Sequence, residues 1–280
     1  MRFLKIFLLP CLAVLFFRSA SALGDEQTVA QQFQGFNLEG YTDGGDKAWD
    51  MKGDTADILT DTIEITNVDA NQYGEYDVNI KARTGTLHKG TGSIELEKDV
   101  VITSESGTRL TTDRLDWQKE QDLVRTDDRV VLTDGGITAS GVGLRAQPGL
   151  KQAKLGKEVT VEVTPESQAD NSQPHPVTIT CDGPLEIDQK VNMAVFHDNV
   201  VAVQLDRTLK ADKMDVYFNP DTKKIDRVVC VGNVQILQGG NATYAEKAVY
   251  DAQEQTFILT GRPKLILMTE DDSLIKGVNK

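Results

Sequence analysis

Aromatic side chains are scarce here, at 6% of 280 residues, and histidine and cysteine occur only three times each. His88, His175 and His197 stand in unrelated contexts, read as surface positions, and form no HxxxH or HxH pair that would hold a metal. No CxxC spacing surrounds any cysteine, no G-x-S-x-G elbow occurs, and no phosphate-binding Walker loop is present. Gly141-Val-Gly143-Leu-Arg-Ala146 matches a loose dinucleotide fingerprint, but Pro148 and Gly149 follow where a helix should open, so it reads as chance. Basic charge is also short: 30 Lys and Arg against 43 Asp and Glu leave a net −13. Such a chain gains nothing from counterion release on nucleic acid, and its body lacks a polybasic surface for anionic lipid. These shortages exclude the common enzyme classes, and neither cofactor nor nucleic acid is expected.

What is present begins with an export signal. Arg2 and Lys5 precede an apolar run of 12 residues, 6–17, and Ala20-Ser21-Ala22 has the small-x-small pattern of a signal-peptidase site. The run falls short of the roughly 20 residues that span a bilayer, and Pro10 interrupts it. Residues 1–22 are therefore a signal peptide or, if retained, a short membrane anchor. Cleavage would remove Arg2, Lys5 and Arg18 and take the net charge from −13 to −16. It would leave Cys181 and Cys230, either disulfide-bonded or free and buried as small hydrophobes.

Beyond residue 35 helical periodicity is nearly absent. Short alternating segments rich in Val, Ile and Thr recur between Gly, Asp and Asn, which predicts an all-β protein. Gln27 to Phe33 are read as a short helix or a disordered lead-in. The strands repeat. A unit of the form x-Val-x-hydrophobic starts at Val100, Val130, Val159, Val200, Val234 and, as a variant, Pro263, with spacings of 30, 29, 41, 34 and 29. A small residue precedes each and shares its spacing, at Ala82, Thr112, Ala139, Cys181, Ala211 and Ala245. The longest gap holds the polar, proline-containing stretch 164–176, read as a linker between bodies at 24–163 and 177–280. A two-strand period near 30 predicts a coiling or folded-over sheet whose repeats cover one another and whose edges stay open.

Strand parity places Ile94, Leu96, Val100 and Ile102 on one face, then Ala194, Phe196, Val200 and Ala202, then Val228, Cys230, Val234 and Ile236. Glu, Lys, Asp and Thr take the other. An apolar stripe of this kind is either a closed core or a groove for a greasy ligand.

The residues also carry a resemblance. Tyr41, Trp49-Asp-Met-Lys-Gly-Asp-Thr-Ala56, Ile80-Lys-Ala-Arg-Thr-Gly85, Leu110-Thr-Thr-Asp-Arg-Leu-Asp-Trp117 and Ile137-Thr-Ala-Ser-Gly-Val-Gly-Leu144, in that order, resemble the periplasmic part of LptC, a membrane-associated subunit of lipopolysaccharide transport. Ala194-Val-Phe-His-Asp-Asn-Val200, Leu209-Lys-Ala-Asp-Lys-Met-Asp-Val-Tyr217, Val231-Gly-Asn-Val234 and Leu259-Thr-Gly-Arg-Pro263 resemble the OstA-type domain of LptA, the soluble bridge protein. The resemblance implies a folded-over antiparallel β-jelly-roll (a β-taco), as one extended or two consecutive units, with an apolar interior groove. It implies a non-enzymatic periplasmic bridge that shields the acyl chains of lipopolysaccharide. An inner-membrane ABC transporter complex would meet the N-terminal edge. An LptA-type unit or an outer-membrane LptD-type receptor would meet the C-terminal edge. The groove lining expected is Val100, Ile102, Leu115, Trp117, Val130, Leu132, Phe196, Val200, Val234, Ile236, Leu259 and Leu265. The alternative is a secreted structural or adhesive β-solenoid with a closed dry core; an enzyme, such as a polysaccharide-cleaving β-helix, would need a carboxylate cluster that the sequence does not display.

Overall fold

In a computed structural model, residues 31–268 are described apart from 43, 75, 76, 165–174, 223 and 255. The expected signal segment 1–22 and most of the expected linker lie outside the described residues. The chain divides into two compact units, Met1–Gly156 and Lys157–Lys280.

The first unit contains β1 (Gln31–Tyr41), β2 (Lys47–Ile58), β3 (Thr62–Gln72), β4 (Val78–His88), β5 (Ile94–Ser104), β6 (Arg109–Gln118), β7 (Leu123–Asp134), β8 (Ile137–Gln147) and the start of β9 (Gln152–Val163). β1 to β8 form a meander of antiparallel neighbours joined by short turns. Gln31, Gln32 and Phe33, expected as helix or lead-in, are extended, because they ladder onto Ile58, Asp57 and Ala56 of β2. The pairing supplies backbone hydrogen bonds that an isolated polar helix of that length would lack.

The second unit takes the rest of β9, then β10 (Val177–Cys181), β11 (Leu185–Asp188), β12 (Met193–Gln204), β13 (Arg207–Phe218), β14 (Ile225–Gln238), β15 (Asn241–Asp251), β16 (Thr256–Thr260) and β17 (Lys264–Ile266). Two short strands stand at each end of this unit where one long strand stands elsewhere. β10 and β11 both pair with β12, while β16 and β17 both pair with β15. The breaks fall at Gly183-Pro184 and Arg262-Pro263, where proline has no N–H to give to a ladder.

The repeat read from the sequence is a bend. Lys98 and Asp99 adopt φ 64° and 54°, Asp198 and Asn199 63° and 52°, and Gly232 and Asn233 81° and 47°. Each left-handed pair forms a bulge against one residue of the next strand, namely Asp113, Asp212 and Glu246. Asn and Asp suit the left-handed region because a short polar side chain can bond locally. Asn199 Nδ2 donates to Asp182 at 2.7 Å and Asn233 Nδ2 to Asp212 at 2.9 Å, while Arg83 Nε donates to Asp99 at 2.5 Å. Asn67 (φ 51°) before Val68 is an earlier copy of the motif that the repeat count did not include, and its Nδ2 bonds Asp54.

The residue after each bend points inward and is sealed. Val100 and Val200 are 0% exposed, and Val130, Val159 and Val234 are 1% exposed. The small residue is its cross-strand partner: Val68 faces Ala82, Val100 Thr112, Val159 Cys181, Val200 Ala211 and Val234 Ala245. In the third repeat the partner is a glycine: Val130 faces Gly141, and Ala139 faces Leu132. Bends in register across neighbouring strands divide each unit's sheet into two arms. The first arm includes residues 94–97 and 193–197; the second includes 100–104 and 200–204. With no helix layer among the described residues, a sheet with one buried apolar face covers it by folding over. This is the expected all-β, folded-over antiparallel architecture.

The outer face is less uniformly polar than parity suggested. In the first unit a cross-strand row runs Asp57, Glu64, Thr86, Glu95, Asp116, Arg125, Arg145. The equivalent row of the second unit runs Glu186, Val195, Asp215, Val229, Val249, Ile258. Alternation alone could not separate the faces there, since both carry valine.

Candidate functional site

Side-chain depth inside each folded sheet follows distance from the bend. Beside the bend on the first arm, Leu96, Leu115, Phe196, Met214, Cys230 and Ala248 are buried. One step farther out on the same face, Ile58, Ile63, Leu87, Ile94 and Trp117 of the first unit and Ile187, Val228 and Tyr250 of the second are half-buried. Three corresponding positions, Val124, Ala194 and Val216, remain buried. On the second arm the units differ. Ile102, Leu110 and Ala139 of the first unit are buried and Met51, Ala70, Ile80 and Leu132 are half-buried, whereas in the second unit Val161 is buried and Ile179, Ala202, Leu209 and Ile236 are half-buried. Each interior is thus closed at the bend and more open toward the strand ends.

The expected lining residues divide along this gradient. Val100, Ile102, Leu115, Val130, Phe196, Val200 and Val234 are buried. Trp117, Leu132, Ile236 and Leu259 are half-buried, and Leu265 is 60% exposed on the terminal strand. The sequence reading named Ile94 only as part of a face and passed over Ile187, Leu209 and Tyr250. Parity would have found all four, but it carries no depth.

Exposed apolar residues mark the outer strands. Phe33 and Leu38 of β1 are 48% and 43% exposed and pair with Ala56 and Met51. At the other end Phe257 is 52% and Leu265 60% exposed. Phe257 stacks on Tyr250 with ring centroids 4.7 Å apart. Within their units, among the described residues, β1 ladders on β2 alone, and β16 and β17 on β15 alone.

Near β1 the strand β2 is covered on both faces. Trp49 packs on Gly40, where an added Cβ would meet its Nε1 at 2.1 Å, so this position requires glycine. On the opposite face Asp50, 5% exposed, accepts from Asn71 Nδ2 at 2.8 Å and Tyr73 Oη at 2.7 Å and pairs with Lys47 at 2.8 Å. These donors, Lys47 foremost, hold its carboxyl down at about 2. Lys47 also bonds Glu39 at 2.9 Å.

A cleft of about 240 Å³ opens at the end of the first arm in the first unit, between Trp117, Ile94, the His88–Glu95 pair and the Arg125–Asp116 pair. His88 and His197 are half-buried and His175 is exposed; His197 Nε2 lies 3.6 Å from Glu186. Among the described residues no group of His, Cys, Asp and Glu could hold a metal ion. Cys181 and Cys230 are free and buried, and burial pushes their thiols up to about 11 and about 12. Of the two states left open by the sequence, the structure contains the reduced one.

Among the described residues no helix is long and apolar enough to cross a membrane. No curated protein matches the sequence. Among solved structures the chain is similar to the crystal structure of LptH, the LptA homologous periplasmic component of the conserved lipopolysaccharide transport device from Pseudomonas aeruginosa. That likeness has 16% identity, covers 69% of this chain and 95% of that one, and gives a TM-score of 0.22. Residues 179–279 match the family described as LptA/(LptD N-terminal domain) LPS transport protein. Residues 6–163, more than half of the 280, match the family described as Lipopolysaccharide-assembly, LptC-related, and the chain belongs to that family as a component of the periplasmic lipopolysaccharide-transport bridge.

Proposed function

We propose that the inward face of each folded sheet shields the acyl chains of lipid A while lipopolysaccharide passes from an inner-membrane ABC transporter complex toward the outer membrane. The observation that carries this reading is the row of half-buried apolar residues beyond the bends, together with inward-parity residues left exposed on the outermost strands. Each acyl CH₂ kept from water is worth about 0.8 kcal/mol, so exposed chains could not cross the periplasm unaided. The sugars and phosphates would stay in water beyond the arm ends. The protein performs no chemistry in this scheme, and energy comes from the transporter.

On this reading residues 24–163 are the LptC-like body, 177–280 the LptA-like extension and 164–176 the connection, with 1–22 directing export or anchoring the chain. The exposed inward residues of β1 would continue the apolar path toward the transporter complex. Those of β16 and β17 would continue it toward an LptA-type unit or an LptD-type receptor, by strand addition.

A structural solenoid with a dry core is the second reading, and the sealed valines at the bends favour it. Photo-crosslinking residues placed at Leu132 and at Ile236 in cells separate the two. Lipopolysaccharide adducts at both sites are expected. A folded, exported protein with adducts at neither would leave the solenoid.

A further inference from the structure

Resting on the lipid-shielding reading, we infer that cargo touches only the second row of inward residues and never the residues at the bend. Acyl chains would meet Ile94, Trp117 and Leu132 in the first unit and Ala202, Leu209 and Ile236 in the second. The bend residues Val100, Val130, Val159, Val200 and Val234 would form a dry seam whose task is to hold the two arms together.

Three observations carry this. The seam valines are 0–1% exposed in five successive repeats, and each has a small cross-strand partner, Thr112, Gly141, Cys181, Ala211 or Ala245. A valine set against alanine or glycine at full burial is packed, and packed interiors leave no space for a methylene chain. The next inward position is half-buried at Leu132, Ala202 and Ile236, although the alternation is the same; at Ile102 and Val161 it stays buried, and cargo would not reach those two. The units also differ in a way a uniform core would not require. Ile102 and Leu110 are sealed in the second arm of the first unit, at 4% and 5%, whereas Ala202 and Leu209, their counterparts in the second unit, are half-buried. Cargo in the first unit would therefore lie mainly against the first arm, at Ile94 and Trp117. In the second unit it would lie between both arms.

The assignment moves four residues of the expected lining, Val100, Val130, Val200 and Val234, from the ligand to the scaffold. It predicts that stability and loading respond to different residues one step apart on the same strand.

The test uses the full chain, purified lipopolysaccharide as probe, and two readouts on each variant: melting temperature, and lipopolysaccharide retained per folded protein after repurification. Val234→Ala and Val200→Ala should lower the melting temperature by about 4–8 °C and leave retention within about twofold. Leu132→Ser and Ile236→Ser should keep the melting temperature within about 3 °C, since a hydroxyl there reaches water, and cut retention about tenfold. If a valine variant does not fold, Val100→Ala supplies the same comparison. Loss of lipid in a valine variant that melts normally, or full retention in both serine variants, overturns the partition. Unmutated protein that retains no lipopolysaccharide overturns the shielding function itself, and the partition with it.

Discussion

Val200 faces Ala211 across the β12–β13 ladder, immediately after the bulge at Asp198 and Asn199, and neither side chain reaches water. The pair is a large residue and a small one sharing a fixed volume at the fold line. Ala211→Val should destabilise by about 1–3 kcal/mol through overpacking, and Val200→Ala by about 1.5–3 kcal/mol through lost burial and a cavity. Combining Val200→Ala with Ala211→Val returns the volume, so the double variant should be more stable than the sum of its parts. Urea midpoints of the three proteins check this, and strict additivity would refute it.

The bend itself is testable at Asn233. Its backbone lies at φ 47° and its amide bonds Asp212. Asn233→Gly keeps the conformation accessible and should cost well under about 1 kcal/mol, whereas Asn233→Val should cost about 2 kcal/mol or more, because a β-branched residue is poorly tolerated in the left-handed region. Thermal melts that rank valine level with glycine would mean the bend does not depend on that geometry.

Asp50 should govern part of the acid stability. Its carboxyl titrates at about 2, below the ordinary 3.8, because Lys47, Asn71 and Tyr73 favour the charged form. A folded-state value below the unfolded one adds stability that is full above about pH 4 and is lost as pH falls toward about 2. The size is on the order of 1–2 kcal/mol, since Lys47 is partly in water. Asp50→Asn should lower stability at neutral pH and flatten its dependence between about pH 4 and 2. Denaturation midpoints at a series of pH values provide the measurement.

Both described cysteines should react slowly. Thiols at about 11 and about 12 hold little thiolate at neutral pH, and Cys181 and Cys230 are also buried. Maleimide labelling of native protein at pH 7 should leave both unmodified over a time in which urea-unfolded protein reacts fully. Rapid native labelling of either would place that residue outside the closed interior.

The outermost strands of the second unit carry the prediction about assembly. Removing residues 264–280 deletes β17 and should abolish binding to the next component toward the outer membrane while the N-terminal contact persists. A truncated chain that still pulls down both partners would place the junction elsewhere.

Much of this was legible in the sequence, for a definite reason. The bend inserts two residues, so the period-2 alternation resumes in phase: Leu96 and Val100, or Phe196 and Val200, fall on one face although the strand turns between them. Face assignment therefore crossed the fold line on those strands, whereas on their partners one residue stands at the bend and the phase shifts, as from Leu115 to Thr112 and from Met214 to Ala211. Val after Asp or Asn marked the bends at Val100, Val200 and Val234. Gln31 to Phe33 were misjudged because only pairing with β2 makes them a strand. That the small residues face the valines across the ladder was not legible, because pairing depends on register, and opposite Val130 the place is held by Gly141.

Local alternation and left-handed Asn and Asp residues thus determined the strands, the bends and the inward face. Depth was decided only by tertiary structure. How far a side chain stands from water depends on where its strand lies between the fold line and the arm end, and on what the opposite arm brings near it. Val234 and Ile236 have equivalent parity and similar chemistry, yet one is sealed and the other half-buried. Alternation records only which face a residue takes, and the distance between two arms is set by strands far apart in the chain.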